Sequence, residues 1–139
     1  MRYQYTSSGF KNFTSNNLYQ IPKGVKFLLI INFILYALVE LSSMKNIFFI
    51  YFGLVPQMVL TEYKIWQLLT YQFIHGNFLH IFFNMFILWM FGKDLEQQWG
   101  KKEFLFFYFI CGFGSGIITI LFTPNSFVPV VGASGAIYG

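Results

Sequence analysis

The chain has 139 residues, of which 56% are apolar, 23% aromatic and only 10% charged, with 20 phenylalanines. A water-soluble domain carries about a quarter charged residues, so this composition excludes a surface that faces water all round. It implies one integral membrane domain. The net charge of +4 is no nucleic-acid footprint, because four of the nine basic residues (Arg2, Lys11, Lys23, Lys26) cluster around the start of the first apolar run. That clustering is a topology signal.

Residues 1–24 are polar and lack the early apolar stretch and small-residue cleavage site of a signal peptide. They are expected to form a cytoplasmic tail, with the first helix uncleaved. The first apolar run, at about 25–41, carries Asn32 and Glu40. Its uncharged part is short for a span, but a snorkelling Lys26 lets it reach across. Residues 42–77 break the pattern. Gly53 and Pro56 punctuate an aromatic stretch, and Glu62 and Lys64 stand among Tyr63, Trp66, Tyr71 and Phe73. Such a mixture suits a long outer loop partly sunk into the headgroups.

The second span is expected at 78–91, ending at Gly92-Lys93-Asp94, and the third at 104–122. The fourth is expected to begin near 128, after the turn Thr123-Pro124-Asn125, and to be incomplete at residue 139. The architecture is thus an all-α membrane bundle of three full transmembrane helices plus the start of a fourth. Cys111 is the single cysteine, which excludes an intrachain disulfide and a cysteine metal cluster. It reads as a small buried core residue. Basic residues number four before the first span, two in the long loop, three (Lys93, Lys101, Lys102) between spans two and three, and none after span three. This alternation puts the N-terminus in the cytoplasm and the long loop, with the entrance to the fourth span, outside.

Polar groups at membrane depth are costly and mark function by default. His80 and Asn84 are four apart, so they share one helix face. Taken alone they read first as a pair that bonds neighbouring helices, but two fixed donors at one depth also suit a developing oxyanion. Ser134 lies in Gly132-Ala133-Ser134-Gly135. Small residues at such spacing, as also in Gly112 to Gly116, usually serve close helix packing. The stretch is not an α/β-hydrolase elbow, which needs glycine where Ala136 stands and a preceding strand.

The combination is more specific than its parts. An outer loop with Trp66, then His75, His80 and Asn84, then Gly132 through Tyr138 resembles the rhomboid family of intramembrane serine proteases, over roughly residues 27–139. The resemblance implies that residues 25–139 are part of a rhomboid domain, with Ser134 as nucleophile and Gly132 and Gly135 allowing tight packing around it. It implies His80 and Asn84, with backbone near Ser134, as oxyanion donors, and Tyr138 packed against the catalytic histidine. His75 and Trp66 would brace the outer loop, and Glu96 would support the cytoplasmic end of the second span. In the family a Ser–His dyad acts, with the base on the sixth transmembrane helix, so neither His75 nor His80 takes that role. These 139 residues by themselves are therefore expected to be inactive. Gln67 stands where the family commonly has arginine, which bears on loop anchoring rather than on chemistry.

The implied partners are transmembrane protein substrates and the lipid bilayer, with no metal, organic cofactor or nucleic acid. The compact layout suggests a bacterial inner membrane. Two other functions fit parts of the pattern. A non-catalytic rhomboid-like protein would bind transmembrane clients, although Ser134 speaks against it. A small transporter would line a path with His80, Asn84 and Ser134, although the spans lack acidic residues apart from Glu40 near a helix end.

Overall fold

The computed structural model describes residues 20–139. The expected tail therefore lies, up to residue 19, outside the described residues. Seven α-helices follow in order: α1 (Lys23–Leu41), α2 (Lys45–Phe52), α3 (Pro56–Thr61), α4 (Gln67–Thr70), α5 (Phe78–Trp99), α6 (Lys101–Phe122) and α7 (Ser134–Ile137). A 3-10 turn at Tyr71–Phe73 extends α4. Among the described residues three helices, α1, α5 and α6, are long and apolar enough to cross a membrane. At about 1.5 Å per residue they match the roughly 30 Å of bilayer hydrocarbon.

The spans bury a narrow inner stripe and expose bulky apolar side chains elsewhere. Val25, Leu28, Ile81, Met85, Leu88, Phe104 and Tyr108 form the shared core. Phe33, Ile34 and Leu38 of α1, Phe82, Phe83 and Phe86 of α5, and Phe106, Ile110 and Phe113 of α6 stay exposed. Apolar surface on this scale fits acyl chains rather than water. The protein is a multi-pass membrane bundle.

Two boundaries differ from the sequence expectation, each for a visible reason. The second span does not end at Gly92. A side chain there would lie 3.1 Å from Val25 Cγ2 and 3.2 Å from Phe104 Cζ, so this glycine serves the close approach of three helices. Helix α5 runs on to Trp99 and stops at Gly100, whose φ of +91° favours glycine. The fourth span does not begin near 128. Leu54 and Val130 exchange both backbone hydrogen bonds, N–H to O at 2.9 and 2.8 Å, which holds that stretch extended, and helix starts only at Ser134.

The outer loop is a folded unit. The last carbonyls of a helix lack intrahelical partners, and α4 with the Trp66 that precedes it supplies side chains to those of α2. Trp66 Nε1 donates to Tyr51 O at 2.9 Å, Gln67 Nε2 to Ile50 O at 2.8 Å, and Thr70 Oγ1 to Phe52 O at 2.7 Å. Gln67 is fully buried, and its Oε1 accepts from Val55 N at 2.9 Å. An amide at this position therefore anchors the loop with both ends of its side chain. Cys111 departs from expectation, being only partly buried.

Candidate active site

Glu96 closes the end of the bundle farthest from Ser134. Helix α1 has no side-chain cap of its own, and its first N–H groups would otherwise lack acceptors. Glu96 Oε1 accepts from Gly24 N and Oε2 from Val25 N, both at 2.7 Å. The carboxylate thus sits on the positive end of α1 and joins the first two spans.

The opposite end carries the polar cluster. Asn77 caps α5, accepting from His80 N at 2.8 Å, which fixes where the next side chains project. His80 Nδ1 accepts from Gly76 N at 3.4 Å, a long bond that leaves the imidazole hydrogen on Nε2 in the neutral ring. That Nε2 points at Gly132, lying 2.5 Å from where a Cβ on that glycine would stand, with Asn84 Nδ2 at 3.4 Å. Asn84 is buried, and its Nδ2 has no hydrogen-bond partner among the described residues. One helix face thus aims two N–H donors at the backbone two residues ahead of Ser134.

Gly132 holds its place through a φ of +115° and through its N–H, which donates to Tyr71 O at 2.9 Å. Ser134 is partly buried and opens α7. Gly135 lies against α6, where a Cβ would come within 2.5 Å of Ser115 Oγ and 2.8 Å of Tyr71 Oη. Tyr138 follows α7 and is 72% exposed, so its ring packs on none of the core described here. Tyr71 and Ser115 were not singled out by sequence reasoning. Tyr71 also donates from its hydroxyl to Gly112 O at 2.7 Å, and its one visible signal is an aromatic hydroxyl in a loop already rich in such residues.

His75 is buried, and its ring meets His80 edge-on with centroids 5.2 Å apart. Burial, and secondarily the neighbouring His80, hold its pKa down to about 4. An unfolded histidine titrates near 6.5, so between these values the unfolded chain binds more protons. Stability is fully present above about pH 6.5 and falls as pH is lowered toward 4. Thermal melts across that window are expected to show a smaller pH slope in His75→Phe than in the wild type. Among the described residues, no group of three His, Cys, Asp or Glu side chains is placed to hold a metal ion.

The Rhomboid domain family model matches residues 62–139, more than half of the chain. The chain is 42% identical over 74 residues to RHOMBOID-like protein 6, mitochondrial, of Arabidopsis thaliana, covering 53% of this chain and 24% of that protein. It is 34% identical over 88 residues to Rhomboid protease GluP of Bacillus subtilis, covering 63% of this chain and 17% of that protein. RHOMBOID-like protein 2 of Arabidopsis thaliana is 38% identical over 81 residues, 58% of this chain and 25% of that relative. The chain thus spans about a quarter or less of these relatives. With a plant and a bacterium both represented, the matches do not favour a bacterial membrane.

Proposed function

The chain belongs to the rhomboid family, and from that premise we propose that the full protein is an intramembrane serine endopeptidase acting on transmembrane substrates. The observation that carries the reading is the convergence of His80 Nε2 and Asn84 Nδ2 on Gly132, two residues before Ser134. Donors fixed before the reaction and aimed where charge develops are what acyl transfer requires. Ser134 Oγ attacks the scissile carbonyl carbon and its proton passes to a base. The carbonyl oxygen becomes an oxyanion held by His80, Asn84 and the Ser134 backbone N–H.

Collapse of the tetrahedral intermediate breaks the C–N bond as the base returns the proton to the leaving amine. Water then hydrolyses the acyl-enzyme. The base is a histidine outside these 139 residues, paired with Ser134 as a dyad. His75 is unsuited to the task, since its lowered pKa makes it a weak base at neutral pH. The distribution of basic residues supports a cytoplasmic N-terminus and a site that opens outward. Substrate segments with weakened helix are favoured, because a helical carbonyl is already bonded within its own backbone.

The test uses the full-length protein in lipid nanodiscs. A serine-reactive fluorophosphonate is expected to label Ser134, with label and cleavage of a transmembrane reporter both lost in Ser134→Ala. A folded wild-type protein that neither labels nor cleaves would overturn the reading in favour of a non-catalytic client binder.

A further inference from the structure

We propose that the space between α1, α2 and the 70–74 turn binds one acyl chain of a bilayer phospholipid. The cavity measures about 500 Å³ and is walled by Leu35 and Val39 of α1, Phe48 and Phe52 of α2, and Phe73 and Ile74 after α4. Two hydroxyls, of Ser42 and Thr70, also reach its lining, and both are already bonded internally. Ser42 Oγ donates to Val39 O at 2.9 Å, and Thr70 Oγ1 donates to Phe52 O at 2.7 Å. A trapped water needs two to four polar partners, and this lining leaves it almost none.

An apolar space of this size gives water few partners and offers hydrocarbon a long contact surface. Its volume is about three times the ~150 Å³ of an engineered apolar cavity that takes up benzene, which suits a flexible hydrocarbon chain. The surroundings identify the source. The wall on α1 is continuous with the exposed apolar face of that span, where Ile34, Leu38 and Leu41 are open among the described residues, a surface whose chemistry matches acyl chains. Transfer from lipid to cavity brings no hydrophobic gain, because the bilayer is equally apolar. Occupancy follows instead from dispersion contacts with the seven apolar side chains of the lining, Leu38 among them, and from the density of acyl chains at the mouth. The nearby ion pair of Lys45 Nζ with Glu40 Oε2, at 2.7 Å, is already matched. The site therefore reads the hydrocarbon chain and not the charge of the headgroup.

The test places the full-length protein in nanodiscs containing phosphatidylcholine with a diazirine on its acyl chain. After irradiation and proteolysis, cross-linked peptides are expected from residues 35–42, 48–52 and 70–74, in excess over the open lipid face around Ile118. Phosphatidylglycerol bearing the same chain is expected to give the same pattern. Two variants fill the space from different points, Leu35→Trp and Ser42→Phe. Each is expected to lose the cavity cross-links while keeping those at Ile118, which reports an intact fold. Equal labelling of cavity and open face in the wild type would overturn the proposal, as would cavity cross-links unchanged in both filled variants. Protein–protein cross-links at these peptides, from a bifunctional reagent, with no lipid adduct there, would assign the space to a polypeptide and equally overturn it.

Discussion

Gly132→Ala is expected to abolish substrate cleavage while leaving the membrane bundle assembled. Two costs fall at the same atom. The φ of +115° is a region that residues with a Cβ occupy only under strain, at about 1–3 kcal/mol. The added methyl would also lie 2.5 Å from His80 Nε2 and 2.7 Å from His80 Cε1, closer than carbon tolerates. The backbone cannot yield easily, because Gly132 N–H is held by Tyr71 O and Val130 is bridged to Leu54. The imidazole is the softer partner, its one side-chain bond among the described residues being the long contact to Gly76. It swings away, and Asn84 Nδ2 at 3.4 Å is crowded as well.

Loss of a single oxyanion donor costs about 10²–10³ in rate, so disturbing both is expected to remove more than about 10³. Gly114→Ala is the control, since a Cβ there meets nothing within 4 Å among the described residues and helix propensity improves. The measurement is reporter cleavage by the full protein, beside its melting temperature. Wild-type turnover in Gly132→Ala would separate this glycine, and the donors aimed at it, from the reaction.

What the sequence discloses and what it conceals divide along the range of the interactions. The spans are legible because an uninterrupted apolar run is a local property, and His80 and Asn84 are legible as a pair because four residues make a helical turn. The stop at Gly100 in place of Gly92 is not, since a glycine that lets helices touch and a glycine that ends a helix look alike until the neighbours are known. Residues 128–133 carry an apolar composition that suits a span. Partners over 50 residues earlier keep them out of a helix: Leu54 bridges Val130, and Tyr71 O accepts from Gly132 N–H. Gln67 shows the same limit in side-chain chemistry. A departure from the family pattern suggests a lost anchor, yet a buried amide with one acceptor and one donor satisfies Val55 and Ile50 together. The aim of His80 and Asn84 at Gly132 likewise depends on the fold that joins α5 to the α7 entrance. The spacing supplies only the shared face.

Glu96→Ala is expected to cause the largest loss of stability of any single substitution at the bundle's far end. The carboxylate accepts two short hydrogen bonds from the backbone of α1, and both donors are buried. Its removal leaves Gly24 and Val25 N–H groups without acceptors, in a helix that Pro22 does not cap. Each orphaned buried donor costs about 1–3 kcal/mol, so the loss is expected to total roughly 2–6 kcal/mol. Glu96→Gln retains one acceptor oxygen but presents its NH₂ to the second donor, so it is expected to recover only part of the difference. An independent check comes from the other partner. A Cβ at Gly24 would stand 2.8 Å from Glu96 Oε2, so Gly24→Ala displaces the carboxylate. Propensity alone would make that change favourable by about 1 kcal/mol, and a measured loss therefore reports the contact. If the two sites act through one clasp, the double variant Gly24→Ala/Glu96→Ala loses less than the sum of the single variants. Additive losses in thermal or denaturant melts of the full protein would show that Glu96 stabilises the bundle by some route other than the start of α1.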